Sequence, residues 1–239
     1  VDFAAGESVT INESTLTVTG ATVNFNGTVD SQGGENNDLN VNAPTTLFGG
    51  QVGGTTPLGT LTTDTAGTTT ISTDVVDGVT LDFNDDVVTT VTSAIGSAAT
   101  TQVVDFAAGE SLTVGDAAGE NLTVSGTTVN FNGTIEGGAG GGNDLSVNAT
   151  TTLFGDTVGA GTHLDAVMTD AAGTTTISAA SLDAASFDFN DDVVTTVATT
   201  IGSTANTTLA DFAGDKGVTI GDGAAETLVV NGATVNFNG

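Results

Sequence analysis

Short runs of alternating apolar and polar residues follow one another along the whole chain. In Thr22-Val23-Asn24-Phe25-Asn26, Val23 and Phe25 alternate with Thr22, Asn24 and Asn26. A strand here therefore puts one apolar face inward and one polar face outward. Val1-Asp2-Phe3, Val9-Thr10-Ile11 and Leu16-Thr17-Val18-Thr19 read the same way. Between them lie short turns: Ala4 to Glu7, Gly20, and Asn26-Gly27, whose two residues tolerate positive φ. No stretch sustains a helical period. From Phe3 to Phe25, three strands and three turns fill 25 − 3 = 22 residues. That is the size of one rung of a parallel β-helix, in which each rung stacks on the next.

The pattern itself repeats. Thr22 to Thr28 returns unchanged as Thr128 to Thr134, and its first six residues again as Thr234 to Gly239; 128 − 22 and 234 − 128 are both 106. Asn37 to Gly49 recurs as Asn143 to Gly155, Ala66 to Ser72 as Ala172 to Ser178, and Asp82 to Val91 as Asp188 to Val197. A fixed period of this kind marks a solenoid and outranks other signals of domain structure. The expected fold is all-β, a parallel β-helix with about 22–23 residues per rung. Residues 1–103 form the first copy, 104–209 the second, and 210–239 begin a third. The three make one continuous solenoid, read as a piece of a longer chain.

The phenylalanines support the rung length. Phe3, Phe25, Phe48, Phe83, Phe106, Phe131, Phe154, Phe189, Phe212 and Phe237 are separated by 22, 23, 35, 23, 25, 23, 35, 23 and 25 residues, with Phe187 extra. One inward Phe per rung gives gaps near 23 and predicts a core ladder of Phe on Phe at roughly 4.8 Å. The 35-residue gaps hold either one rung with an excursion or two rungs, the first without a Phe. Four or five rungs per repeat follow, and average rung length favours five. Asn24, Asn40, Asn42, Asn130, Asn148 and Asn236 sit in or beside strands, as ladder residues or as solvated turn residues.

Composition adds to this picture mainly through charge. Twenty-nine acidic residues face a single basic one, Lys216, giving a net charge of −28. Nucleic acid is excluded as a partner, because binding it requires Lys or Arg against phosphate. Anionic membrane surfaces are disfavoured for the same reason, and no apolar run approaches a membrane span. Self-repulsion of this size keeps a β-rich chain soluble. Cysteine is absent, which removes disulfides and thiol chemistry. Tyr and Trp are absent too, so the large aromatics are all apolar.

Catalysis finds little support. His163 and Lys216 lie in different copies and have no counterparts one period away. The carboxylate pairs Asp85-Asp86 and Asp191-Asp192 are those a polysaccharide lyase or hydrolase on a β-helix would need. Adjacent strand residues point to opposite faces, however, and no Arg, Tyr or Trp is present to hold a sugar. Calcium at acidic turns has Asp38, Asp85, Asp144 and Asp191 as its candidate ligands. Residues 137–147 loosely match a glycine- and aspartate-rich calcium-binding repeat, but once per period and not in tandem. Thr68-Thr69-Thr70 and Thr174-Thr175-Thr176 are candidates for a flat Thr-rich binding face toward ice or carbohydrate, though they too recur once per period.

The ordered motifs FNGTV or FNGTI, NDLxVNAxTTLFG, AGTTTIS and FNDDVV resemble the tandem β-strand repeats of large bacterial surface proteins related to filamentous haemagglutinin. The resemblance covers essentially the whole chain. It implies a secreted right-handed β-helix acting as an adhesin shaft or a cell-surface or matrix filament, and it brings no catalytic residues. The expectation is a structural, non-enzymatic, extracellular bacterial protein. It needs no cofactor apart from the calcium considered above. Because solenoid ends carry unpaired edges, it is also expected to associate with itself end to end along its axis.

Overall fold

The computed structural model describes residues 1–221 and 226–239. Every strand pairing in it is parallel, and the chain winds through three ladders in fixed order. The first ladder begins with Asp2–Phe3, Val23–Phe25 and Thr45–Phe48. The second begins with Ser8–Ile11 and Thr28–Ser31. The third begins with Thr15–Thr19, Asp38–Asn42 and Leu58–Thr63. The result is a three-sided β-solenoid of about ten turns. Period-2 alternation places Val23, Phe25, Leu39, Val41 and Phe48 inside, all at most 2% exposed, while the residues between them face out.

The ladders show how the sequence repeat maps onto the turns. Val23 lies under Thr46, Thr69, Val87 and Leu112 on the first face, which is four turns. Its sequence counterpart one copy later, Val129, lies beyond Leu112 by two more faces, after Val124 on the second and on the third itself. From Val129 the path repeats through Thr152, Thr175, Val193 and Val218, and then reaches Val235 on the second face. One copy therefore spans four and two-thirds turns, neither the four nor the five that the rung-length argument allows. Successive copies present the same residues on different faces.

The phenylalanines follow this rotation. They form three separate stacks: Phe3, Phe25 and Phe48 on the first face, Phe83 to Phe154 on the third, and Phe189, Phe212 and Phe237 on the second. Neighbouring ring centroids within a stack are 4.7–5.5 Å apart. Phe187 packs on Phe189 at 5.8 Å. A single ladder of Phe along the axis is thus replaced by three staggered ones. Phe48 is followed on its own face by Ile71, and Phe154 by Ile177. Each 35-residue gap is the step of one and two-thirds turns from one face to the next. The close-packed interior takes one aromatic column at a time, with Val, Leu, Ile and Thr opposite.

Glycine at the repeated Asn-Gly step has a different reason from the one read in the sequence. Neither Gly27 nor Gly133 has positive φ. A Cβ on Gly27 would stand 2.0 Å from the carbonyl oxygen of Glu7, and one on Gly133 2.0 Å from that of Glu110. The corner is tight because the previous turn's backbone passes directly beneath it. Gly96 and Gly202 are left-handed corners, at φ 74° and 76°.

Candidate functional site

Two corners, one per copy, carry the most unusual chemistry. Asp85 follows Phe83 at the bend from the third face to the first, and it is 2% exposed. Its Oδ1 accepts a hydrogen bond from the Thr63 hydroxyl at 2.7 Å, and its Oδ2 one from the Thr69 hydroxyl at 2.8 Å. Thr63 Oγ1 in turn accepts from the Asn84 backbone N–H at 2.9 Å. The second copy rebuilds the site one face back, at the bend from the second face to the third. Asp191, 1% exposed, accepts from Thr169 and Thr175, each at 2.7 Å. Asn190 N–H donates to Thr169 Oγ1 at 3.1 Å. Burial raises both carboxyl pKa values above the usual range; the threonine bonds pull against it, and Asp64 and Asp170 push the same way as burial.

This arrangement braces a transition in the core. Thr62 pairs with Asp82, so Thr63 precedes Phe83 in the ladder, and Thr169 precedes Phe189 in the same way. At both places a phenylalanine stack begins directly above a threonine. The carboxylate ties that threonine to one on the next face, Thr69 or Thr175. Both carboxylate oxygens are engaged within the protein.

The other candidate ligands lie elsewhere. Asp38 Oδ1 accepts from the Thr60 backbone N–H at 2.8 Å on the third face. Asp144 stands on the second face, its pKa raised by burial and then by Asp165, with a buried Oδ1 that lacks a hydrogen-bond partner. The structure does not bring Asp38, Asp85, Asp144 and Asp191 together. Among the described residues no group of three or more His, Cys, Asp or Glu is placed to hold a metal ion.

The adjacent carboxylates do point apart. Asp86 faces outward and accepts from the backbone N–H and the hydroxyl of Ser111, both at 2.8 Å; Asp192 accepts from Gly217 N–H at 2.7 Å. Lys216 Nζ donates to the Ala171 carbonyl at 2.7 Å; burial raises the pKa of nearby Asp170, and Lys216 pulls weakly against it. His163 is exposed on a turn. In the threonine triplets the middle residues, Thr69 and Thr175, are fully buried. The outward row through Thr70 runs Asn24, Leu47, Thr70, Val88, Thr113 and Glu136, which is no regular threonine array. Several strand asparagines bond to a neighbouring turn, but to acids and not to one another. Asn130 Nδ2 and Asn132 Nδ2 donate to Asp105 at 2.9 and 3.1 Å, and Asn236 and Asn238 donate to Asp211 at 2.7 and 3.1 Å.

Apolar hollows open at the two ends. One of about 430 Å³ is lined by Val218, Ile220, Leu228, Val230, Val235 and Phe237. Another, of about 290 Å³, includes Phe3, Val9, Ile11 and Leu16. Comparison with protein-family models, curated proteins and solved structures finds no match to this chain.

Proposed function

We propose that the chain is a structural module: part of the shaft of an acidic, extracellular bacterial adhesin or matrix filament. The observation that carries this reading is the continuity of three parallel ladders around one dry core, from the first turn to the last. Such a column resists bending, and its length grows with the number of repeats. Asp85 and Asp191, candidates for chemistry on sequence grounds, spend both carboxylate oxygens on threonine hydroxyls that brace that column. The outward acids keep neighbouring columns apart by repulsion. The open first and last turns are where further solenoid turns add, by continued sequence or by stacking of molecules along the axis. The outward rows of Asn, Asp and Thr are what a carbohydrate or another cell-surface ligand would meet.

Immunogold labelling of the producing cells, with antibody raised against the purified chain, tests the reading. Label on surface fibres is the expected result. An intact pool confined to the cytoplasm would refute it.

A further inference from the structure

The last turn ends in three strands that pair on one side: Val218–Ile220 on the third face, Leu228–Val230 on the first and Thr234–Phe237 on the second. Ile220, Val229 and Phe237 are 54%, 47% and 56% exposed. None of the three strands carries a charged residue. Their sequence counterparts one copy earlier are residues 112–114, 122–124 and 128–131, and there the occupant of the same edge is visible. Ser111–Val114 carries Thr134–Gly137, Leu122 carries Leu145, and Phe131 carries Phe154 at 5.5 Å between ring centroids.

We infer that the free edge of the last turn is a docking surface for a segment with the sequence of residues 134–154, supplied by a further copy of the repeat. The added copy sits a third of a turn round from the one before it. The edge matches an interface already present inside the molecule, so its shape and register are specified. Strand addition of this kind takes its affinity from the main chain and its selectivity from the inward side chains. Charge is compatible as well: Glu136, which pairs with Thr113 inside the chain, would meet Thr219 at the end. Because each copy spans four and two-thirds turns, three copies make 3 × 4⅔ = 14 turns before a surface residue returns to its own face. Any outward group of the repeat, such as the Asp105–Asn130 pair, is therefore displayed on all three sides of a longer shaft.

The test extends the chain with residues 134–239 placed directly after Gly239, which matches Gly133. The protein lacks cysteine, so paired substitutions report single contacts. Asn130 and Leu153 are outward ladder partners. Parallel neighbours about 4.8 Å apart suit a disulfide. Asn130→Cys with Leu153→Cys in the original chain is the internal standard. Asn236→Cys with Leu153→Cys in the added copy is the test pair. Asn236→Cys with Glu136→Cys in the added copy spans two faces and should stay reduced. Expected results are crosslinking of the first two pairs alike and a rod longer by about 22 Å, from 4⅔ turns at ~4.8 Å. Crosslinking of the standard without the test pair would overturn the inference. So would equal crosslinking of the two-face pair, or a protease-sensitive extension with no added length. None of these outcomes depends on where the protein resides in a cell, so the shaft reading and this inference fail separately.

Discussion

At the scale of single residues, the buried aspartates set an unusual pH response. The pKa values of Asp85, Asp144, Asp170 and Asp191 are all raised, burial being the largest cause in each. A carboxyl with a raised folded-state pKa holds its proton more tightly folded than unfolded. Stability therefore increases as pH falls through the folded pKa and is fully gained below the unfolded value, about 3.9 for Asp. Thermal unfolding followed by circular dichroism should show Tm rising from pH 7 toward pH 4, and Asp85→Asn with Asp191→Asn should flatten that rise. A Tm that falls steadily over this range would contradict the assignment. Asp85→Ala is a different matter, because it strands the Thr63 and Thr69 hydroxyls in a dry site. We expect a loss of roughly 1–3 kcal/mol in chemical denaturation at pH 7, with the Asn variant costing less because it keeps an acceptor.

At the scale of elements, the phenylalanine stacks grade the cost of truncation. Phe131 is 1% exposed, between Phe106 and Phe154 at 5.2 and 5.5 Å, whereas Phe237 is 56% exposed with one stacking neighbour. Phe131→Ala should cost about 3–5 kcal/mol, and Phe237→Ala well under half of that, both by denaturant titration; equal costs would mean that stacking does not carry the core. The rung length behind these stacks was legible in the sequence, because Phe3, Phe25 and Phe48 stack directly. The step from Phe48 to Phe83 was not legible. Alternation tells whether a side chain points in or out, but it does not say which of three faces it leaves from, and 106 residues are not a whole number of turns. The Asp85 site was hidden for a related reason. Asp85 stands out in the sequence only as half of a carboxylate pair and as a candidate calcium ligand, and the signal for its burial lies in its neighbours: Thr63 and Thr69 occupy inward positions where the pattern otherwise places apolar side chains.

At the scale of the whole molecule, charge and open edges act in opposite directions. The six strands of the first and last turns contain one charged residue, Asp2, although the chain carries 29 acids. Both edges run in the same strand direction, so head-to-tail contact continues parallel pairing, whereas head-to-head contact would reverse it. The last strand lies on the second face, so an incoming first strand takes the third, again a third of a turn round. What opposes this contact is the net charge of −28, acting over a Debye length of about 10 Å at 0.1 M salt and about 3 Å at 1 M. The 239-residue chain should therefore sediment as a monomer in dilute buffer and form linear oligomers as NaCl is raised toward 1 M. Millimolar Ca²⁺ or a pH near 4.5 should act in the same direction, since each lowers the repulsion. Phe237→Asp puts a carboxylate into the apolar edge and should suppress the oligomers at every salt concentration. A monodisperse monomer at high protein concentration in 1 M salt would show that the half-buried Phe3 and exposed Phe237 do not drive stacking between molecules.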